Sequence, residues 1–197
     1  MTATGTWTVL DRAHAALRAV TAPLTTADLG RPTPCEQWTV AQVLQHAAGD
    51  QRAYAAAITG HGGPAEDPFA PSGALAGTPV ELVEPALAAS AAAFATVDPA
   101  GTAPTPLPQG ALPAATAAGA AALDAGVHAW DVAVATGQPP RLDDDLAAEL
   151  LLVARALVEP LRQYGAYAPA LEPGGDDSVS AELLRYLGRD PRWSAVS

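Results

Sequence analysis

Apolar and polar positions recur at helical spacing through five long segments and one short one, with stretches rich in proline and glycine between them. From Thr6 to about Val20, Val9, Leu10, Ala13, Leu17 and Val20 share one face and predict a first helix. A second runs from Val40 to about Thr59 on Val40, Val43, Leu44, Ala47, Tyr54 and Ile58. Thr39 followed by Gln42 is a capping-box pattern at its start, and Trp38 with Val43 has the spacing of a hydrophobic staple. A third spans about Pro79 to Val97 and a fourth about Leu112 to Thr136, stopped by Gly137 with Pro139 and Pro140 behind it. The fifth follows the negative charges of Asp143 to Asp145 and reaches about Gln163; a short last helix covers Ser178 to Leu187. The pattern is that of an all-α chain.

Between these segments lie connections at Thr21 to Trp38, Thr59 to Thr78, Asp98 to Pro108 and Tyr167 to Asp177. The second is long for a compact domain and is expected to cover a pocket. Composition agrees with helices: 49% of residues are hydrophobic, alanine dominates them, and aromatics make up 5%. A length of 197 residues predicts one domain over 1–197. The formal charge of −11 argues against a grip on nucleic acid or anionic lipid. All ten cationic side chains are arginine, so Schiff-base chemistry and a P-loop lysine are excluded. Cys35 is the single cysteine, which rules out an internal disulfide and a cysteine-based zinc site. It is read as a small packed side chain rather than a nucleophile. With neither a signal-peptide pattern nor a membrane span, the expectation is a cytoplasmic protein.

Chemistry concentrates in the fourth segment. From Ala111 to Thr136 the ionisable side chains are Asp124, His128 and Asp131. At about 100° per residue, Asp124 and His128 lie about 40° apart on the wheel with Asp131 between them. Leu123, Val127, Trp130 and Val134 form an apolar ridge beside that stripe, so the polar line borders a core. There a carboxylate and an imidazole either pair with each other or bind a metal. His46, at the edge of the second helix and one turn before Asp50, is a candidate third ligand; the alternative is a hydrogen-bonded core histidine. His14 stands among Asp11 and Arg18 and is expected at the surface, and His61 opens the long loop as a candidate substrate contact. Arg52 and Tyr54, just beyond His46, point to the same region, with Tyr54 read chiefly as core.

The segments TPCEQWTVAQVLQHAAG, GVHAWDVAVATGQP and LLRYLGRDPRW resemble actinobacterial proteins related to mycothiol-dependent maleylpyruvate isomerase, within the DinB-like superfamily. The resemblance implies a four-helix bundle, here with one or two additional short helices. It also implies a divalent metal held by one histidine, His46, and by a Glu-x-x-x-His pair. His128 takes the histidine position of that pair and Asp124 the glutamate position, one methylene shorter. Asp50 or Asp131 then orients a histidine, substitutes as a ligand or serves as a catalytic base.

Two imidazoles and one carboxylate leave open coordination positions. The expected metal is zinc, with nickel, iron and manganese as alternatives. The resemblance implies a metal-dependent mycothiol S-transferase or isomerase acting on a small electrophile. Arg52 and His61 are candidate cofactor contacts, and the expected assembly is a monomer or homodimer. The alternatives are a non-catalytic metal- or small-molecule-binding helical protein and a metal-dependent hydrolase or lyase.

Overall fold

A computed structural model describes residues 7–35, 38–175 and 178–195. It contains α1 (Thr8–Thr21), α2 (Val40–Thr59), α3 (Pro79–Phe94), α4 (Ala114–Thr136), α5 (Asp144–Arg162) and α6 (Val179–Tyr186). Thr6, the expected start of the first helix, and Asp176 and Asp177, the expected end of the last loop, lie outside the described residues. α1 to α4 form the bundle: α4 packs on α1 and α2, and α3 packs on α2 and α1. α5 covers the remaining side of α4, and α6 packs on α5. Of these two additional helices only α6 is short.

The bundle closes because α4 is apolar on almost every side. Ala117, Ala118, Ala121, Ala122, Ala125 and Ala129 are all fully buried, as expected for a helix at the centre of a core. Small side chains let its neighbours approach closely. At Gly119 a Cβ would sit 2.5 Å from Cγ2 of Val153, so glycine is what permits α5 to lie at that distance. Gly137 ends α4 in the left-handed conformation.

The capping box at Thr39 and Gln42 is present in full, and a second one, Thr78 with Glu81, opens α3. Three local readings change. α3 stops at Phe94, whose carbonyl accepts a 2.8 Å hydrogen bond from Nε1 of Trp7. Leu112 and Pro113 form a two-residue strand, β2, paired antiparallel with β1 (Thr102–Ala103), so α4 begins at Ala114. His14 is not a surface residue: it is 1% exposed and faces α2. Among the described residues no helix is long and apolar enough to cross a membrane.

The long loop between α2 and α3 lies along α2 as a strap. Gln42 donates to the carbonyl of Pro71, and Gln45 both donates to the carbonyl of Ala74 and accepts from the amide of Gly73. Gly49 allows the closest approach, because a Cβ there would meet Cγ of Pro68 at 2.9 Å.

Candidate metal centre

α2 and α4 cross so that His46, Asp124 and His128 meet. Oδ1 of Asp124 lies 3.2 Å from Nε2 of His46 and 3.4 Å from Nε2 of His128. One ligating atom from each of the three falls within 4.8 Å of the others, and all three side chains are largely buried. Tetrahedral bonds of about 2.0–2.1 Å place neighbouring donor atoms about 3.3 Å apart. The Asp124 oxygen already stands at that spacing from each imidazole, and a divalent ion would draw the two imidazole nitrogens, within 4.8 Å of each other, closer together.

Each member is held from behind by a different part of the chain. Nδ1 of His46 donates to the carbonyl of Pro68 on the strap at 2.8 Å. Nδ1 of His128 donates to Oδ2 of Asp131 at 2.9 Å. Asp131 is 0% exposed and takes two hydrogen bonds from Arg189, at 2.9 Å to Oδ1 and 2.8 Å to Oδ2. The second oxygen of Asp124 lies 3.4 Å from Nε2 of Gln51. With both Nδ1 positions carrying the proton, both Nε2 atoms face the common point, which is the arrangement a metal requires.

Electrostatics follow from burial and charge. Burial works against a charged His46, yet the hydrogen bond and charge of Asp124, helped by Asp50, raise it to about 9. Asp50 stands 4.0 Å from Nε2 of His46, and burial together with the charge of Asp124 pushes it up to about 7. Burial would raise Asp131, but the guanidinium of Arg189 outweighs it and holds the carboxyl at about 2. The ring of His46 is flanked by Trp38 at 4.8 Å and Phe69 at 5.5 Å between centroids. Phe69 is 63% exposed.

The structure thus brings His46, Asp124 and His128 together, with Asp50 beside them and Asp131 behind His128. Arg52 lines a cavity of about 440 Å³ between α2, the strap and the start of α3, whose wall includes Gly49 and Pro68. His61 is exposed and stands outside that lining. Tyr54 is core, and Cys35 is half-buried against the core. Sequence reasoning assigned nothing to Gln51, Pro68 or Arg189. Arg189 sits inside the quoted LLRYLGRDPRW segment, but one helix periodicity cannot show which distant side chain an arginine will reach.

A family model described as "Mycothiol maleylpyruvate isomerase N-terminal domain" matches residues 10–133. Two relatives, both uncharacterized proteins from strains of Mycobacterium tuberculosis, are each 37% identical over 185 residues, covering 92% of this chain and 96% of the relative. Among solved structures, a mycothiol-dependent maleylpyruvate isomerase superposes with a TM-score of 0.64 over 94% of this chain and 89% of its own, at 17% identity. A histidine-to-alanine mutant of such an enzyme gives 0.61 over 90% and 85%, also at 17% identity. At that identity the superposition shows a shared fold.

Proposed function

Because the chain belongs to the mycothiol maleylpyruvate isomerase N-terminal domain family, we propose that it is a divalent-metal-dependent enzyme that uses mycothiol to isomerise, or to transfer its sulfur onto, a small electrophilic substrate. The observation that carries this reading is the convergence of Nε2 of His46, Nε2 of His128 and Oδ1 of Asp124. These three residues hold the metal; a nitrogen–nitrogen–oxygen donor set favours zinc, with nickel, iron and manganese as competitors. When bound, such an ion stabilises the thiolate of a coordinated thiol at neutral pH and so supplies the nucleophile.

The chain's own residues do the rest. Asp131, with both oxygens engaged, fixes the ring of His128 and is a positioning residue rather than a base. Asp50, 4.0 Å from Nε2 of His46, is the carboxyl group placed to accept and return a proton at the site. Trp38 and Phe69 form an aromatic wall beside His46 that limits water. Arg52 offers a charged donor to a polar part of the thiol in the adjoining cavity.

Metal analysis of protein purified without chelator, paired with mycothiol-dependent turnover, tests this. One divalent ion per chain is expected, and it is expected to vanish with turnover in a His46→Ala, His128→Ala double variant. Thiol-dependent turnover that survives the double change overturns the proposal. Stoichiometric metal with turnover that needs no thiol favours the hydrolase reading, in which Asp50 acts on water.

A further inference from the structure

Asp124 has two carboxylate oxygens, and the one facing the imidazoles is Oδ1. The other is met by Gln51, a residue of α2 that is 0% exposed. The amide of Gln51 has a defined orientation. Its Nε2 lies 2.9 Å from the carbonyl oxygen of Ala121, which can only accept, so the amino group faces α4 and Oε1 faces away. One amino proton goes to Ala121 and the second points to Oδ2 of Asp124.

On the far side, Oε1 of Gln51 lies 2.9 Å from Nε2 of His14 on α1. An amide oxygen donates nothing, so His14 carries its proton on Nε2. Its Nδ1 is buried without a hydrogen-bond partner. A protonated ring would bury a second N–H with nothing to receive it, and burial indeed lowers the pKa of His14. The neutral ring with the proton on Nε2 is the form that fits. A run of donors and acceptors therefore passes through three helices, from His14 to Gln51 to Asp124, with every direction set by its neighbour.

We infer that Gln51 and His14 are positioning residues that restrict Asp124 to presenting one oxygen, Oδ1, to a divalent cation. This inference rests on reading His46, Asp124 and His128 as a metal site. A carboxylate beside a divalent cation binds through one oxygen or through two, and a loose second oxygen is free to close the second bond. Here that motion takes an acceptor away from a buried amino group that no solvent reaches. Monodentate binding keeps one more coordination position open, and an incoming ligand needs that position. His14 acts one step further back: without its N–H, the Gln51 amide loses the contact that holds Oε1 away from Asp124.

The test uses the full chain loaded with one equivalent of cobalt(II) and no thiol, because the intensity of the cobalt visible bands falls as coordination number rises from four to six. Wild type is expected to give intense bands. Gln51→Met, which keeps volume and removes the amide, is expected to give weaker bands and a ten- to hundredfold loss of cobalt affinity by chelator competition. His14→Phe is expected to shift both in the same direction by less, and His14→Gln, which restores an N–H donor, to recover the wild-type spectrum. Melting of the metal-free proteins separates these effects from misfolding, and His14→Phe carries the test if Gln51→Met does not fold. Cobalt bound by wild type, with spectrum and affinity unchanged in the folded variants, overturns this inference and leaves the metal site standing. Wild type that binds no cobalt overturns the metal reading and this inference with it.

Discussion

The two helices that build the centre hold their ligands by different means. On α4, His128 is braced by a fully buried carboxylate that is itself clamped by Arg189, and Asp124 by a fully buried amide. On α2, His46 is braced by the backbone carbonyl of Pro68, on a strap whose next residue, Phe69, is 63% exposed. The α4 side is thus fixed by side chains buried inside the core. The α2 side is fixed by a loop segment that lies against α2 through Gln42, Gln45 and Gly49 and is expected to open more readily than the core. A site built this way is expected to have a rigid half and a more mobile half, with ligand access through the strap.

The strongest way to break this comparison is to remove the clamp on the rigid half. Arg189→Met strands the charge of Asp131 in a place with 0% exposure. Leaving one partner of a buried ion pair alone costs about 3–5 kcal/mol. Urea unfolding of the metal-free variant measures this directly. A loss under about 1 kcal/mol would mean that the α4 side is no more rigid than the strap.

The opposite half is probed at Gly49. A methyl there meets Cγ of Pro68 at 2.9 Å, and a proline ring seated on a helix cannot swing away as a long side chain can. Gly49→Ala also gains about 1 kcal/mol of helix propensity, which offsets the clash in the stability of the whole fold. The expected result is a near-unchanged unfolding midpoint with metal affinity reduced ten- to hundredfold, because the Pro68 carbonyl no longer aims His46. Isothermal titration with zinc, run beside a thermal melt, reads both quantities. Unchanged affinity would show that the strap covers the site without orienting it.

The same division governs how much the sequence reveals. Asp124 and His128 are legible because they are one turn apart on one helix, where periodicity alone sets their relation, and the Thr39 cap places His46 at a definite point on α2. The partners behind them are not legible in that way. Arg189 is 58 residues from Asp131, and the acceptor for His46 is a backbone oxygen, which leaves no mark in residue type. His14 is the instructive miss. Its charged neighbours Asp11 and Arg18 suggest a surface position, yet Leu10 and Leu17 stand four residues before and three after it, and both are buried. Their spacing puts His14 on the apolar face, and that signal outweighs the charges beside it.

The smallest expected effect separates the two halves by pH in the metal-free protein. His46 is raised from 6.5 to about 9, with burial opposing and Asp124 prevailing. A group that holds its proton more tightly when folded contributes stability fully below its unfolded pKa of 6.5 and loses it as pH rises through 9. Asp131 runs the other way: burial opposes, Arg189 prevails, and the carboxyl falls from 3.8 to about 2. Its contribution is complete above 3.8 and is lost as pH falls through 2. Alkaline solution is therefore expected to loosen the strap, residues 60–78, while acid loosens the segment around Arg189. Hydrogen exchange by mass spectrometry, corrected for the intrinsic pH dependence of exchange, follows both segments in one sample. Above pH 9 the lone pair on Nε2 of His46 faces the Asp124 carboxylate, so attraction becomes repulsion and the Pro68 carbonyl is left as the ring's hydrogen-bond partner. Strap protection that survives to pH 10 would place the hold on His46 elsewhere and remove the asymmetry between the halves.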